Sequence, residues 1–351
     1  MPSSQDSRSR LPELHLSRPG VCFPATRVDN AEILRRVREQ YRGPESEWPT
    51  LESAIEHVFG LCRTRERYIE PDSGARVADY AVAAARRCLD VNRASLDEVD
   101  LLIHGGIARQ YFEPATAMEV AAKLGLTRVH AFDVTAACVG HLEAVQTAAA
   151  YLALHPHYRT ALICTSELTD RFLSYDIQSV RDLYTKSAGL TIGNAAACVL
   201  LRSRPWPGGG IRLLGIDSHC MPGHWDLCQV PIDGTFFSSS VELMRLGKLI
   251  PPLVQRDIAA VGWKPTDVDH FIFHQPSEIM VRKIVEDVGG DPARAVYAHP
   301  LYGNNASASV GVAFNVLLEQ RTLEAGDKIV LGSAAAGFSV VVATGEWVAE
   351  T

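Results

Sequence analysis

The stretch AFDVTAACVG, residues 131–140, runs an alternating apolar segment into a cysteine, Cys138, whose neighbours are too small to shield its sulfur. Beyond it, Val139, Leu142, Val145, Ala148, Ala149 and Leu152 recur with helical spacing, so the thiol is expected at the start of a helix with one buried face. Unpaired N–H groups and the positive end of the helix dipole favour thiolate there by about 0.3–2 kcal/mol, enough to suggest a nucleophile at neutral pH. The competing reading is a small buried hydrophobe, and the other seven cysteines are read that way. Two further groups could complete a site. His274 ends the apolar strand Phe271-Ile272-Phe273, and Asn304 lies in YGNNASAS, a turn that enters a helix. Each also has a structural reading, as a strand-end histidine and as a turn or cap residue. Together, a thiolate, an imidazole and a carboxamide suit acyl transfer: sulfur takes the acyl group while the other two donate to a developing oxyanion.

An internal repeat supplies the elements that would bring them together. EVDLLIHGG at 98–106 is matched by DVDHFIFHQ at 267–275, each followed by a helical stretch, ATAMEVAAKLGL and PSEIMVRKIVEDVGG. A small-residue turn then leads into Val-Gly and an amphipathic helix in both copies, at Val139-Gly140 and Val310-Gly311, and each copy ends on a strand, TALICTSE and KIVLGSAA. Strands alternating with helices indicate α/β layers with strands buried on both faces. Duplication implies a pseudo-twofold axis with corresponding loops meeting at one rim, where Cys138 and Asn304 fall in nearly equivalent turns. The expected division is a disordered tail at 1–10, a first half at 11–207 carrying the cysteine, and a second at 208–351 carrying the histidine and asparagine. RSRPWPGGG at 202–210 reads as the linker. The stretch 168–260 fits the repeat poorly and is expected to shape a substrate cavity.

Composition narrows the function classes. The chain has 351 residues, 47% of them hydrophobic, and 34 basic against 41 acidic residues give a net charge of −7, which argues against a nucleic-acid or anionic-membrane surface. No apolar run approaches the roughly 20 residues of a membrane span. With no CxxC pair, a zinc site is not expected. The N-terminal MPSSQDSRSRLPEL lacks the apolar core of an export signal, so the eight cysteines are read as reduced and the protein as cytoplasmic.

DVTAACVGH, FIFHQPSE and YGNNASAS, in that order, resemble the Cys, His-Gln and Gly-Asn motifs of the ketoacyl-carrier-protein synthase III family, and the likeness extends from about residue 14 onward. It implies a thiolase-like α/β fold, two pseudo-symmetric βαβαβ-type halves in a five-layered α-β-α-β-α arrangement. It also implies a ping-pong reaction with no tightly bound cofactor and no metal. Cys138 would be acylated by a thioester on coenzyme A or on the phosphopantetheine of an acyl carrier protein. A second thioester would then attack in a Claisen condensation, with His274 and Asn304 holding its enolate oxygen. IGNAAACVLL resembles the family's Gly-Asp-Gly-Ala strand, with Asn194 where Asp is usual. GSAAAGFS resembles its terminal glycine-rich loop, so the backbone N–H groups of Cys138 and Ala336 would form the oxyanion hole. Relatives that acylate an alcohol tend to carry Asp at the Asn304 position, and an ionised Asp cannot donate. Carbon–carbon bond formation is favoured.

RQYFEPATAMEVAAKLGL at 109–126 departs from the fatty-acid enzymes and resembles the loop of head-to-head condensing ketosynthases, the OleA-type and pyrone-forming enzymes. There the residue matching Glu113 enters the dimer mate's site as general base. An α-carbon without a malonyl carboxylate needs such a base, and a partly desolvated carboxylate can serve. The alternative places Glu113 at a helix N-terminus, with Pro114 in the first turn. Arg63, Arg65 and Arg67 alternate, as if on one strand face, and resemble the segment near the coenzyme A nucleotide. Arg282 and Lys283 could greet an acidic carrier protein, or be solvated surface. The combined reading is a homodimeric ketosynthase of specialised metabolism, of the polyketide or antibiotic kind. Its rivals are an acyltransferase to a hydroxyl or amine, a decarboxylative malonyl-carrier initiator, and a non-catalytic partner subunit.

Overall fold

Runs such as LLI at 101–103 and ALICT at 161–165 have no polar face, so strands built from them need cover on both sides. The computed structural model describes residues 12–72 and 74–349; the anticipated tail at 1–10 lies outside them. Ten strands form one sheet: β1 (His15–Ser17), β2 (Gly20–Cys22), β3 (Val99–His104), β4 (His130–Asp133), β5 (Thr160–Glu167), β6 (Ala195–Arg202), β7 (Gly210–His224), β8 (His270–Phe273), β9 (Lys328–Ala335) and β10 (Gly337–Val348). Six helices cover it: α1 (Val77–Val91), α2 (Thr116–Leu124), α3 (Gly140–Leu154), α4 (Ile250–Ala260), α5 (Glu278–Val288) and α6 (Ser309–Gln320).

The two halves repeat one strand order. β3 is parallel to β4 and β5, β5 is antiparallel to β6, and β6 is antiparallel to β1 and β2. In the second half β8 is parallel to β9, β9 antiparallel to β10, and β10 antiparallel to β7, while Phe271 bridges Ala295 where β4 stands in the first. The half-sheets are not separate. His15 of β1 faces both Arg202 of β6 and Arg212 of β7, so the ladder runs unbroken through the first strand.

Period-two alternation sorts the side chains into layers. Leu101, Ile103, Ile163 and Val199 face a central core shared with α3 and α6, which also receives Ile272, Ile329, Leu331 and Val341 from the other half. Their neighbours Leu102, Leu162, Cys198 and Leu200 face out to α1 and α2, and Phe271, Phe273, Val330 and Val342 face out to α4 and α5. The result is helix, sheet, helix, sheet, helix. The segment 168–260 departs from the repeat less than its residues suggest. β6, β7 and α4 lie within it and duplicate β10, the β1–β2 pair and α1, leaving 168–194 and 225–249 as the additions. The 15-residue β7 obscures this, because it is buried at its start and exposed toward its end and so lacks a uniform alternation. Among the described residues no helix is long and apolar enough to cross a membrane.

Candidate active site

Cys138 lies in a 3-10 turn, Ala137–Val139, that runs directly into α3. The second half repeats this turn at Ala306–Ala308 before α6. Ala137 and Ala306 both take φ 46°, a left-handed conformation that costs an L-residue about 1–2 kcal/mol. The turn register therefore aligns Cys138 with Ser307, two residues off the alignment that the Val-Gly pairs suggest. The chain packs tightly here: a Cβ on Gly140 would stand 2.6 Å from the Gly105 carbonyl oxygen of the same half and 3.6 Å from the Ser307 Cβ of the other. Ser333 on β9 donates to the Cys138 carbonyl (2.8 Å), and the hairpin that follows has Ala336 at its tip, before Gly337 at φ 96°.

Cys138 is partly exposed, yet its thiol is pushed above the ordinary 9.0, first by burial and then by Cys228 and Glu167; only its own backbone N–H favours the thiolate. This corrects the expectation of a resting thiolate. A helix terminus offers at most about 2 kcal/mol, whereas burial can move a group by about 3–5 pH units, each worth ~1.4 kcal/mol. Cys228 belongs to a short hairpin, Cys228–Gln229 paired with Phe237–Ser238, within the added segment 225–249.

His274 follows β8 directly, its N–H bonded to the Gly332 carbonyl (2.8 Å). Burial holds its ring pKa down to about 4, with His299 adding to the lowering and the Ala306 backbone opposing it. The ring is thus neutral, and its buried Nδ1 has no protein partner. Beside it, Gln275 is fully used: its amide donates to the Phe273 and Val296 carbonyls and accepts from the N–H groups of Ala298 and His299. This second residue of the His-Gln motif is a staple that fixes the end of β8. Asn304 is pinned by its backbone to Thr191 (2.9 Å) and Gly193 (3.0 Å). Its Oδ1 accepts from the Ala306 N–H (2.9 Å), which orients the carboxamide and leaves its NH2 uncommitted. His274 and Asn304 thus both adjoin Ala306, in the turn that packs against the turn of Cys138.

Glu113 is placed differently from its capping reading. α2 begins at Thr116, and its first N–H groups, of Thr116 and Ala117, are taken by the Asp133 carboxylate at 2.8 Å each. Pro114 stands outside the helix, and Glu113 caps nothing. It lies in an exposed loop beside Tyr111 (48% exposed) and Phe112 (80%).

The basic residues separate. The strand holding Arg67 starts only at Glu66, so Arg63 and Arg65 precede it in a turn and do not share its face. Arg67 is fully buried, donates to Asn30 (2.9 Å) and the Leu190 carbonyl (2.7 Å), and lies over Phe59. Burial pushes its pKa down to about 10. It is a core residue and cannot meet a nucleotide. Arg67→Met should therefore cost about 2–4 kcal/mol in urea unfolding, since both acceptors lose a charged donor, while the KM for a coenzyme A thioester stays unchanged. A raised KM without a stability loss would reverse that assignment. Arg63 pairs with Glu278 (2.8 Å), and with Phe59, Thr64, Arg65 and Pro300 the pair lines a cavity of about 520 Å³. Arg282 lies over Tyr297, and Lys283 pairs with Asp287 (2.8 Å), both on the exposed side of α5.

Asn194, which stands where the resembled family usually has Asp, and Glu167, which the sequence did not single out, both make buried polar contacts. Asn194 accepts from the Thr169 N–H (2.8 Å) and hydroxyl (2.9 Å) and donates to Asp170, whose carboxyl burial holds above its usual range. An aspartate at 194 would set two carboxylates together, so the amide suits this partner. Glu167, the last residue of β5, accepts from Ile107, Ala108 and Ser307; its one sequence signal is an acid closing an otherwise uncharged strand. All eight cysteines are free, and among the described residues no cluster of His, Cys, Asp or Glu could hold a metal.

Comparison with known proteins gives one consistent answer. Residues 132–220 match the family model for 3-oxoacyl-(acyl-carrier-protein) synthase III, and 258–347 match the model for that enzyme's C-terminal part, together just over half of the chain. Beta-ketoacyl-(acyl-carrier-protein) synthase III 3 of Streptomyces coelicolor is 26% identical over 93% of this chain and 95% of its own. An acyl-CoA:acyl-CoA alkyltransferase of Xanthomonas campestris is 28% identical over 79% of this chain and 84% of its own. The crystal structure of Xanthomonas campestris OleA with bound lauric acid and lauroyl-CoA superposes with a TM-score of 0.85 at 23% identity, covering 96% of this chain and all of that one, and so shares the thiolase-like fold.

Proposed function

From the premise that the chain belongs to the 3-oxoacyl-(acyl-carrier-protein) synthase III family of ketosynthases, acyltransferases that use carrier-protein or coenzyme A thioesters, we propose that it joins two acyl thioesters head to head without losing carbon dioxide. The first half, 11–207, supplies the nucleophile Cys138, and the second, 208–351, supplies His274 and Asn304. The Cys138 sulfur attacks a thioester carbonyl, the oxyanion is met by the N–H groups of Cys138 and Ala336, and the donor leaves as a free thiol carrying the proton. A base then removes an α-proton from the second thioester. Its enolate oxygen is held by His274 and Asn304, and its carbon attacks the acyl-enzyme. The C–S bond breaks, returning Cys138 and releasing a β-ketoacyl thioester, which a β-keto substrate could close to a pyrone.

The carrying observation is the Asn304 carboxamide. Its oxygen is engaged by Ala306, so it presents N–H groups alone, beside a neutral imidazole with an uncommitted nitrogen. That pair can present N–H donors to an enolate oxygen, and the Asn304 carboxamide, unlike an aspartate, has no basic group to offer an alcohol, which supports condensation over ester formation. The head-to-head choice is supported by the likeness to an acyl-CoA:acyl-CoA alkyltransferase and by Glu113, free of any capping duty and available as base to a second subunit. The cavity beside Arg63 and Arg65 is the entrance we assign to the thioester's carrier, with Arg282 and Lys283 facing an acidic carrier protein, and the role is one in specialised metabolism in the cytoplasm.

The test uses two saturated acyl-CoA thioesters and no malonyl donor. Formation of a β-keto product with one free coenzyme A per condensation and no carbon dioxide supports the reading. A product that forms only when a malonyl thioester is supplied would replace it with decarboxylative initiation.

A further inference from the structure

Glu167 is a fully buried carboxylate with no cation paired to it among the described residues. Burying such a charge is costly unless its oxygens are hydrogen-bonded, and here three donors converge. Oε1 accepts from the Ile107 N–H (3.0 Å) and the Ser307 hydroxyl, and Oε2 from the Ala108 N–H (3.0 Å). Those donors belong to two separate parts of the site. Ile107 and Ala108 root the loop that carries Glu113, and Ser307 lies in the turn that follows Asn304. We infer that Glu167 is a positioning residue for the condensation half-reaction, tying the Glu113 loop to the Asn304 turn across the pseudo-twofold axis.

The inference rests on the proposed roles of Glu113 and Asn304. It makes a prediction that plain structural support does not. None of the groups assigned to acylation, the Cys138 sulfur and the N–H groups of Cys138 and Ala336, is bonded to Glu167. The carboxylate instead opposes ionisation of Cys138 through its charge. Removing that charge should leave acylation intact or faster while condensation falls, two effects of opposite sign from one substitution. Glu167→Gln does this with little change in volume. The amide can accept at one atom only, so a peptide N–H is left facing an NH2 and the loop must shift.

Acylation is read by intact mass against time, and condensation by β-keto product formed from pre-acylated enzyme. Glu167→Gln should acylate within about threefold of native or faster and condense about 100-fold more slowly, the usual cost of a displacement near 1 Å. Ser307→Ala, which removes one donor and little bulk, should slow condensation by about 10-fold and leave acylation unchanged. If Glu167→Gln does not fold, Ser307→Ala decides alone. Parallel losses in both half-reactions, or normal condensation, would overturn the inference. Glu113→Gln run alongside keeps the two claims apart. Full condensation by that variant removes the reading beneath the inference, whereas its loss there but not in Glu167→Gln overturns the inference alone.

Discussion

Cys138→Ala should show no mass gain after incubation with an acyl thioester, where the native chain gains one acyl group, and product formation should fall by at least about 10⁴-fold. Removing the nucleophile of an acyl-transfer enzyme costs up to roughly 10⁶ in kcat, with the remainder owed to binding and the oxyanion hole. The rate of native acylation should also carry the mark of a desolvated sulfur. Burial, Cys228 and Glu167 hold the thiol above its ordinary 9.0, so the thiolate is a small minority at neutral pH and grows about tenfold per pH unit below the pKa. His274 has already lost its proton above about 4 and adds no limb of its own between pH 6 and 9. Acylation followed by intact mass should therefore climb throughout that window. A plateau reached by pH 7 would mean that the sulfur is ionised at rest, as the helix dipole alone would suggest.

The contrast between dipole and burial shows which parts of the site were legible in the chain. Apolar runs such as LLI and ALICT, with no alternation, dictated strands covered on both faces, and duplicated segments dictated two similar halves; both follow from short-range pattern. The positions of Cys138, His274 and Asn304 were visible because small-residue turns and strand ends are local features too. What stayed hidden depends on where an element starts or on contacts far apart in sequence. Arg67 is buried on a strand that begins at Glu66, three residues past Arg63 and one past Arg65, which stay exposed and do not share its face. The N-terminus of α2 is capped by Asp133, which comes from the next strand and not from the preceding loop. The joining of the half-sheets rests on the short β1, which pairs with β6 at His15 and Leu16 and with β7 at His15, Leu16 and Ser17. The charge state of Cys138 is set first by its burial and then by Cys228 and Glu167, distant in sequence and brought near by the fold.

Release of Glu113 from its capping role gives the second large effect. Glu113→Gln should acylate at the native rate and then stall, with condensation reduced by about 10²–10⁴-fold, the contribution of a positioned general base. A carboxylate on an exposed loop is too well solvated to serve in its own chain, and the aromatic rings beside it, Tyr111 and Phe112, stand in the open. Both facts are met if a second copy covers this loop and receives Glu113 in its own site. That arrangement has a genetic signature. Cys138→Ala lacks a nucleophile but keeps Glu113, and Glu113→Gln lacks the base but keeps Cys138. Co-expressed as mixed dimers, the two inactive chains should recover about one quarter of native condensation, because half of the random pairs rebuild one complete site. If Glu113 served the cysteine of its own chain, no mixture of the two variants would recover any activity, and the shared site would have to be abandoned.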